Sequence, residues 1–226
     1  MHSQIDWSKI PTFIISLDDR PDRRDKQLAR IAEIKPKWPF GEIKVLRGFP
    51  SRQDKPGAFP LPMNWHGPNG AWGCNLSHRS AIWRAYQLRV PAVVILEDDC
   101  YFDNNFYERV QDFIKRVPDD WQQLFFGGEH NYYFGRKPEP VAPGIVRCME
   151  VNMLHCYAVR DTFIGRLMER WRYHGHCDWQ GNKLQPTCKV YGCDPWIAGQ
   201  TADFSDITKT YRGKRLQSGT HGGNYE

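Results

Sequence analysis

The stretch that most constrains this chain is residues 91–102, PAVVILEDDCYF, where five apolar residues run straight into three adjacent carboxylates. An apolar run this short, β-branched and opened by a proline, reads as a strand buried on both faces, the strand type of a covered parallel or mixed sheet. The acids then stand at its carboxyl end, where open α/β sheets bind ligands. If extended geometry persists, alternation points Glu97 and Asp99 one way and Asp98 the other. Acid, spacer, acid therefore offers two hard oxygen ligands to one Mg²⁺ or Mn²⁺. The plain alternative is a solvated acidic turn opening the next helix, whose positive end favours carboxylates.

A chain of 226 residues with 40% hydrophobic content has room for one sizeable core, and a single domain over residues 1–226 is expected. No stretch approaches the roughly 20 apolar residues of a membrane span, and residues 1–10 lack the apolar centre of a secretory leader, so a cytoplasmic location is expected. Seven cysteines without a small-secreted-domain spacing fit reduced thiols. One group, His174, His176, Cys177, Cys188 and Cys193, raises the question of a structural zinc, although it contains no Cys-x-x-Cys pair. The formal charge of +5 permits an anionic partner such as a nucleotide diphosphate or nucleic acid without demanding one. Aromatic residues make up 14% of the chain, and rings with apolar faces and polar edges suit sugars, bases and core packing alike.

Along the chain, residues 12–17 read as a first buried strand, closed by Asp18, Asp19, Arg20 and Pro21. A helix over 22–33 carries Leu28, Ile31 and Ile34 at helical spacing, with Arg20, Arg23, Arg24 and Arg30 around them, and arginines beside a helix amino terminus suit a phosphate. A second strand covers 42–47, and 49–70 is a long loop rich in proline and glycine, of the length that makes lids and binding segments. Residues 70–88 predict a helix capped by Asn75 or Ser77, with Ile82, Trp83, Ala85 and Tyr86 facing inward and Ser77 and His78 facing a ligand. After the acids, Asp103 or Asn104 caps a helix built on Phe106, Val110, Phe113, Ile114 and Val117. Strands are expected at 123–126, 146–151, 155–160 and 189–191, a loop at 131–144, and a helix capped by Asp161 and running through about residue 173. From residue 206 the chain turns polar, glycine-rich and basic. P-loop, dinucleotide Gly-x-Gly-x-x-Gly and Gly-x-Ser-x-Gly patterns are all missing, which weakens kinase and serine-hydrolase readings.

Taken in order, IISLDDRPDRR, GAWGCNLSHRSAIWRA and VVILEDDCYF resemble the first strand and arginine turn, the Gly-x-x-Gly-Cys-x-x-Ser-His segment and the metal-binding strand of glycosyltransferase family 25. That family comprises the lipooligosaccharide glycosyltransferases and the procollagen hydroxylysine galactosyltransferases. HCYAVRDTFIGRLM, the acid Asp178 and QTADFSDI are similar to later segments, so that the resemblance covers about residues 12–207. It implies an α/β, GT-A-like, Rossmann-like fold, a mixed and mostly parallel sheet flanked by helices. It further implies a UDP-sugar donor such as UDP-glucose or UDP-galactose, a divalent Mn²⁺ or Mg²⁺, and inversion at the anomeric carbon. Carried over by position, Ser16, Leu17, Arg20, Arg24, Ser77, His78, Glu97 and Asp98 are expected around the donor. Asp99 is the expected metal ligand, with Glu97 as its partner. His221, in a flexible segment 208–226 that would close over the donor, is a candidate third ligand, since two carboxylates leave a six-coordinate ion incomplete. Asp178 is the candidate general base, with Trp179 beside it to stack on a sugar.

Three classes of function compete on this reading. The first is an inverting metal-dependent hexosyltransferase, whose acceptor by analogy is a lipopolysaccharide-type glycan. Hydroxymethylated DNA is an alternative acceptor, because KTYRGKR at 209–215 and the loop 51–55 could engage phosphates and the base could be flipped out. The other classes are a non-catalytic sugar-nucleotide or nucleic-acid binding module and a nucleotidyltransferase using paired metals.

Overall fold

The computed structural model describes residues 5–50, 59–62, 65, 67, 69–172, 175–201, 203–204 and 211–212. His174, His221 and the basic stretch 51–55 lie outside the described residues, as does most of 209–215 and of the segment 208–226.

The elements run β1 (Thr12–Ser16), α1 (Pro21–Glu33), β2 (Ile43–Arg47), α2 (Asn69–Leu88), β3 (Ala92–Glu97), β4 (Cys100–Phe102), α3 (Phe106–Arg116), β5 (Gln123–His130), β6 (Glu139–Ala142), β7 (Ile145–Arg147), β8 (Val151–Arg160), α4 (Asp161–Arg170), α5 (Cys177–Asn182), β9 (Val190–Cys193) and β10 (Ala198–Gln200). Eight strands form one sheet in the order β2-β1-β3-β8-β5-β9-β7-β6. β1 is parallel to β2 and β3, β8 is antiparallel to β3 and β5, β9 is parallel to β5, and β7 is antiparallel to β9 and β6. Only β7 and β8 therefore oppose the common direction, the mixed, mostly parallel arrangement expected.

β3 holds the centre because Ala92 to Leu96 can be buried on both faces, as their lack of exposure shows. Helices cover both sides. Phe125 packs on Tyr157, which reaches His78 of α2, while its neighbour Phe126 packs on Phe113 of α3 across the pleat. α1 begins with Pro21 at its first turn, and its buried stripe is Arg23, Gln27 and Ile31, one residue per helical turn. Leu28, which shares the helical spacing of Ile31, is 37% exposed.

Several local expectations are corrected. α2 starts at Asn69, so Asn75 and Ser77 lie inside the helix and do not cap it. Asn75 instead donates to the carbonyls of Trp171 and Gly175, and Ser77 donates to Gly73 O while accepting from Phe49 N. Trp83 and Tyr86 stack on each other on the outer face, 47% and 57% exposed, while Ile82 and Ala85 go inward. Asp161 is the first residue of α4, with Arg160 at the position before it and no side chain capping the helix; Asn105 precedes α3, again without a side-chain cap, and Asp103 accepts from Asn105 N. β5 continues through Gly127 and Gly128 to His130, the expected loop 131–144 contains β6, and the expected strand 146–151 divides between β7 and the start of β8. α5 had no periodic signal in so short a segment. Gly73 marks a true close approach, since a Cβ there would lie 2.6 Å from Phe49 O.

Candidate active site

The site is built at the carboxyl ends of β1 and β3. Their parallel register pairs Ile15 with Glu97, which carries Ser16 up to the acids. β3 ends at Glu97, and Asp98 and Asp99 form the turn into β4. Ser16 Oγ donates to Asp98 Oδ2 at 2.7 Å. From α1, the buried Arg23 spans both aspartates, with Nε 3.1 Å from Asp98 Oδ1 and Nη2 2.6 Å from Asp99 Oδ2. β10 pairs with β4 so that Gln200 faces Cys100, and its amide donates to Glu97 Oε2 at 2.9 Å and lies 3.5 Å from Asp99 Oδ1. Glu97 and Asp99 thus share Gln200, whereas Asp98 turns to Ser16.

The other Glu97 oxygen faces α2. His78 Nε2 donates to Oε1 at 3.1 Å, and its Nδ1 is 2.9 Å from the Tyr157 hydroxyl. Cys74, one turn before His78, places Sγ 4.0 Å from the same Oε1 and 3.8 Å from Cys177 Sγ of α5. Ligand atoms of Cys74, His78 and Glu97 all fall within 4.8 Å of one another.

Charge is unevenly balanced across this cluster. Burial raises the Asp99 pKa, the Glu97 charge raises it further, and Arg23 only partly offsets them, leaving it at about 7. Asp98 is also pushed up by burial against the opposing pull of Arg23 and Ser16. Burial works against a charged His78, yet Cys74 and Glu97 push its pKa up to about 10. The Cys74 thiol is itself held well above its ordinary range by Cys177 and burial, so at neutral pH the anion facing His78 is Glu97. Glu97 is correspondingly lowered, because the His78 hydrogen bond and charge outweigh burial. Three clustered carboxylates offering only oxygen donors, one of them kept from full ionisation at neutral pH, fit a hard divalent cation.

Asp178 stands in the first turn of α5. Its Oδ2 accepts from Met153 N at 3.3 Å and its Oδ1 from Trp179 N at 2.8 Å. Met153 holds φ +68°, a left-handed conformation unusual for a non-glycine residue, and it lies where the β5–β8 register shifts. Burial raises the Asp178 pKa despite those two amides. Trp179, 51% exposed, lies against His176 and against Tyr133, which is 72% exposed, so an aromatic surface adjoins the carboxylate.

Of the other expected residues, Arg20 pairs with Asp22 and Arg24 with Asp25, Leu17 is half-buried at the end of β1, and Ser77 ties α2 to Phe49. Cys177 meets Cys74, and among the described residues Cys188 and Cys193 join no group of metal-ligating side chains. The residues missed by sequence reasoning are Arg23 as the aspartates' partner, Tyr157, and Gln200. Arg23 was findable, because it shares a helix face with Ile31 two turns later.

Comparison with known proteins places the chain in a family. The sequence over residues 9–142 matches the family model described as glycosyltransferase family 25 (LPS biosynthesis protein). Procollagen galactosyltransferase 2 of Mus musculus is 23% identical over 150 residues, covering 62% of this chain and 24% of that protein. A probable inactive glycosyltransferase 25 family member 3 of Bos taurus is 29% identical over 126 residues, covering 51% of this chain and 21% of its own length. The chain thus spans about a quarter of the length of these relatives. A glycosyltransferase involved in the glycosylation of the major capsid of PBCV-1 shares the fold, with a TM-score of 0.51 at 10% identity, covering 88% of this chain and 96% of that one. With β1, α2 and the acidic strand β3 all inside a match that takes in more than half its length, the chain belongs to glycosyltransferase family 25.

Proposed function

We propose that this protein is a single-domain, inverting, cation-dependent glycosyltransferase that moves a hexose from a UDP-sugar to the hydroxyl of a saccharide acceptor. The observation that carries this reading is the pairing of an acid cluster at the end of β3 with a separate, half-buried carboxylate, Asp178, aimed by the backbone amide of a residue at φ +68°. Strained backbone of this kind concentrates at functional sites. A divalent cation held by Asp99 and Glu97 Oε2 would neutralise charge on the departing diphosphate.

The chain's own groups divide the remaining work. Arg23 balances the aspartates and Ser16 orients Asp98. Gln200 fixes Glu97 relative to Asp99. The acceptor oxygen attacks the anomeric carbon as the bond to the diphosphate oxygen breaks, and Asp178 accepts the hydroxyl proton. Its burial-raised pKa suits that task. Trp179 and Tyr133 give apolar faces on which pyranose rings can stack. Among the described residues no helix is long and apolar enough to cross a membrane.

Asp178→Asn should keep UDP-sugar and Mn²⁺ affinity, measured by calorimetry, and lower transfer by on the order of 10²-fold or more, the usual scale for a lost general base. Transfer at wild-type rate would remove Asp178 from this role. A second reading, a binding module without turnover, is favoured by the bovine relative named as probably inactive. Binding of UDP-sugar with no transfer to saccharide, hydroxymethylated DNA or hydroxylysine peptide would select it.

A further inference from the structure

We propose that Cys74, His78, Glu97 and Cys177 form a binding site for a thiophilic divalent cation, zinc, distinct from the hard-cation position on Asp99. Cys74 and His78 stand four residues apart on α2, so their side chains share one face. Glu97 reaches both of them from β3, and Cys177 comes from α5 against the Cys74 thiol. Tetrahedral zinc holds thiolate sulfurs at about 2.3 Å, which sets two of them roughly 3.8 Å apart. The Cys74 and Cys177 sulfurs are 3.8 Å apart. The His78 Nε2 to Glu97 Oε1 distance of 3.1 Å and the Cys74 Sγ to Oε1 distance of 4.0 Å lie within about half an ångström of tetrahedral spacings built from the usual zinc bond lengths.

Two further features point the same way. The His78 Nδ1 rests on the Tyr157 hydroxyl, the kind of outer partner that fixes the ring of a metal-bound histidine. The Glu97 carboxylate is divided, with Oε1 toward the thiols and imidazole and Oε2 toward Gln200. Soft sulfur and imidazole donors select zinc, while the all-oxygen side selects manganese or magnesium. A zinc here would clip α2, β3 and α5 together and anchor Cys177, the residue before Asp178. The inference stands on the thiols and the imidazole and does not depend on the transferase reading.

The test uses the intact chain produced with zinc present and dialysed into metal-free buffer under reductant. Elemental analysis should find about one zinc per chain, retained in Asp99→Asn and lost in Cys74→Ala and Cys177→Ala. Replacing zinc by Co²⁺ in the wild-type chain should give a thiolate-to-cobalt charge-transfer band that added Mn²⁺ does not bleach, a readout that holds even if the cysteine variants fail to fold. Zinc below about a tenth of an equivalent, zinc content unchanged in both cysteine variants, a cobalt spectrum without a sulfur band, or a Cys74–Cys177 disulfide in the protein as isolated would each overturn the site.

Discussion

Asp99 gives the sharpest quantitative consequence of the charge balance. Its pKa moves from an ordinary 3.8 to about 7, chiefly by burial and then by the Glu97 charge. A carboxylate whose folded pKa is raised binds its proton more tightly folded than unfolded, so stability must fall as pH rises between those two values. At 1.36 kcal/mol per unit, the ionised form costs the metal-free protein roughly 4 kcal/mol above pH 7. Near pH 5, where the folded acid is still protonated, the same linkage leaves a cost of about 1–2 kcal/mol. The side chain is only 20% exposed, so solvent screening removes little of this. Asp99→Asn removes the ionisation while nearly keeping the shape. In EDTA the variant should therefore be more stable than wild type by about 2–4 kcal/mol at pH 8, and by roughly 2–3 kcal/mol less than that at pH 5. Urea denaturation at the two pH values measures both numbers. With Mn²⁺ and UDP present the ranking should invert, because wild type gains binding energy that the variant lacks. Equal stability of variant and wild type at pH 8 in EDTA would refute the burial argument, and equal Mn²⁺-dependent stabilisation would remove Asp99 from the cation site.

Two other outcomes are expected. Trp179→Ala should raise the KM for a saccharide acceptor by about 3- to 10-fold, the scale of one lost ring stacking, with UDP affinity unchanged by calorimetry. Gly127→Ala should cost about 1–3 kcal/mol in urea denaturation, because the added Cβ would press on Ala198 O and His155 Nε2.

What was legible in the sequence was the central layer. Residues 92–96 could only be a doubly buried strand, and that strand brings its acids to the sheet's ligand-binding edge. The outer sheet was less legible for physical reasons. β6 reads Glu139, Pro140, Val141, Ala142, an edge strand with no apolar alternation, and it forms because β7 is there to pair with it. The helix α2 was misread at its start because Gly70, Gly73, Asn75 and Ser77 are poor helix formers that look like a loop and a cap. Their cost is offset by burial and by tertiary hydrogen bonds to Phe49, Trp171 and Gly175, none of which local sequence announces. Trp83 and Tyr86 were assigned inward on apolarity alone. The positions they occupy on α2 face solvent, where each ring covers the other. Likewise Cys177 was grouped with its sequence neighbours, whereas its partner is Cys74, 103 residues away.

Arg23 decides whether the acid cluster is held together by protein or awaits a cation. Its side chain is 10% exposed and touches Asp98 and Asp99, themselves 9% and 20% exposed. Removing one partner of a buried ion pair costs about 3–5 kcal/mol, because the remaining charge is left without compensation. Arg23→Met keeps the apolar stem against α1's buried face and deletes only the guanidinium. In EDTA the loss should be largest near pH 8, where the aspartates are ionised, and should shrink toward pH 5 as Asp99, whose pKa burial and Glu97 raise to about 7, takes up its proton. If the same oxygens bind the divalent cation, Mn²⁺ substitutes for the missing charge. Added Mn²⁺ should then raise the melting temperature of Arg23→Met by more than it raises that of wild type. A loss under about 1 kcal/mol would mean that the arginine is not the aspartates' charge partner in solution, and a full loss with no preferential recovery in Mn²⁺ would mean that arginine and cation do not share the same carboxylates.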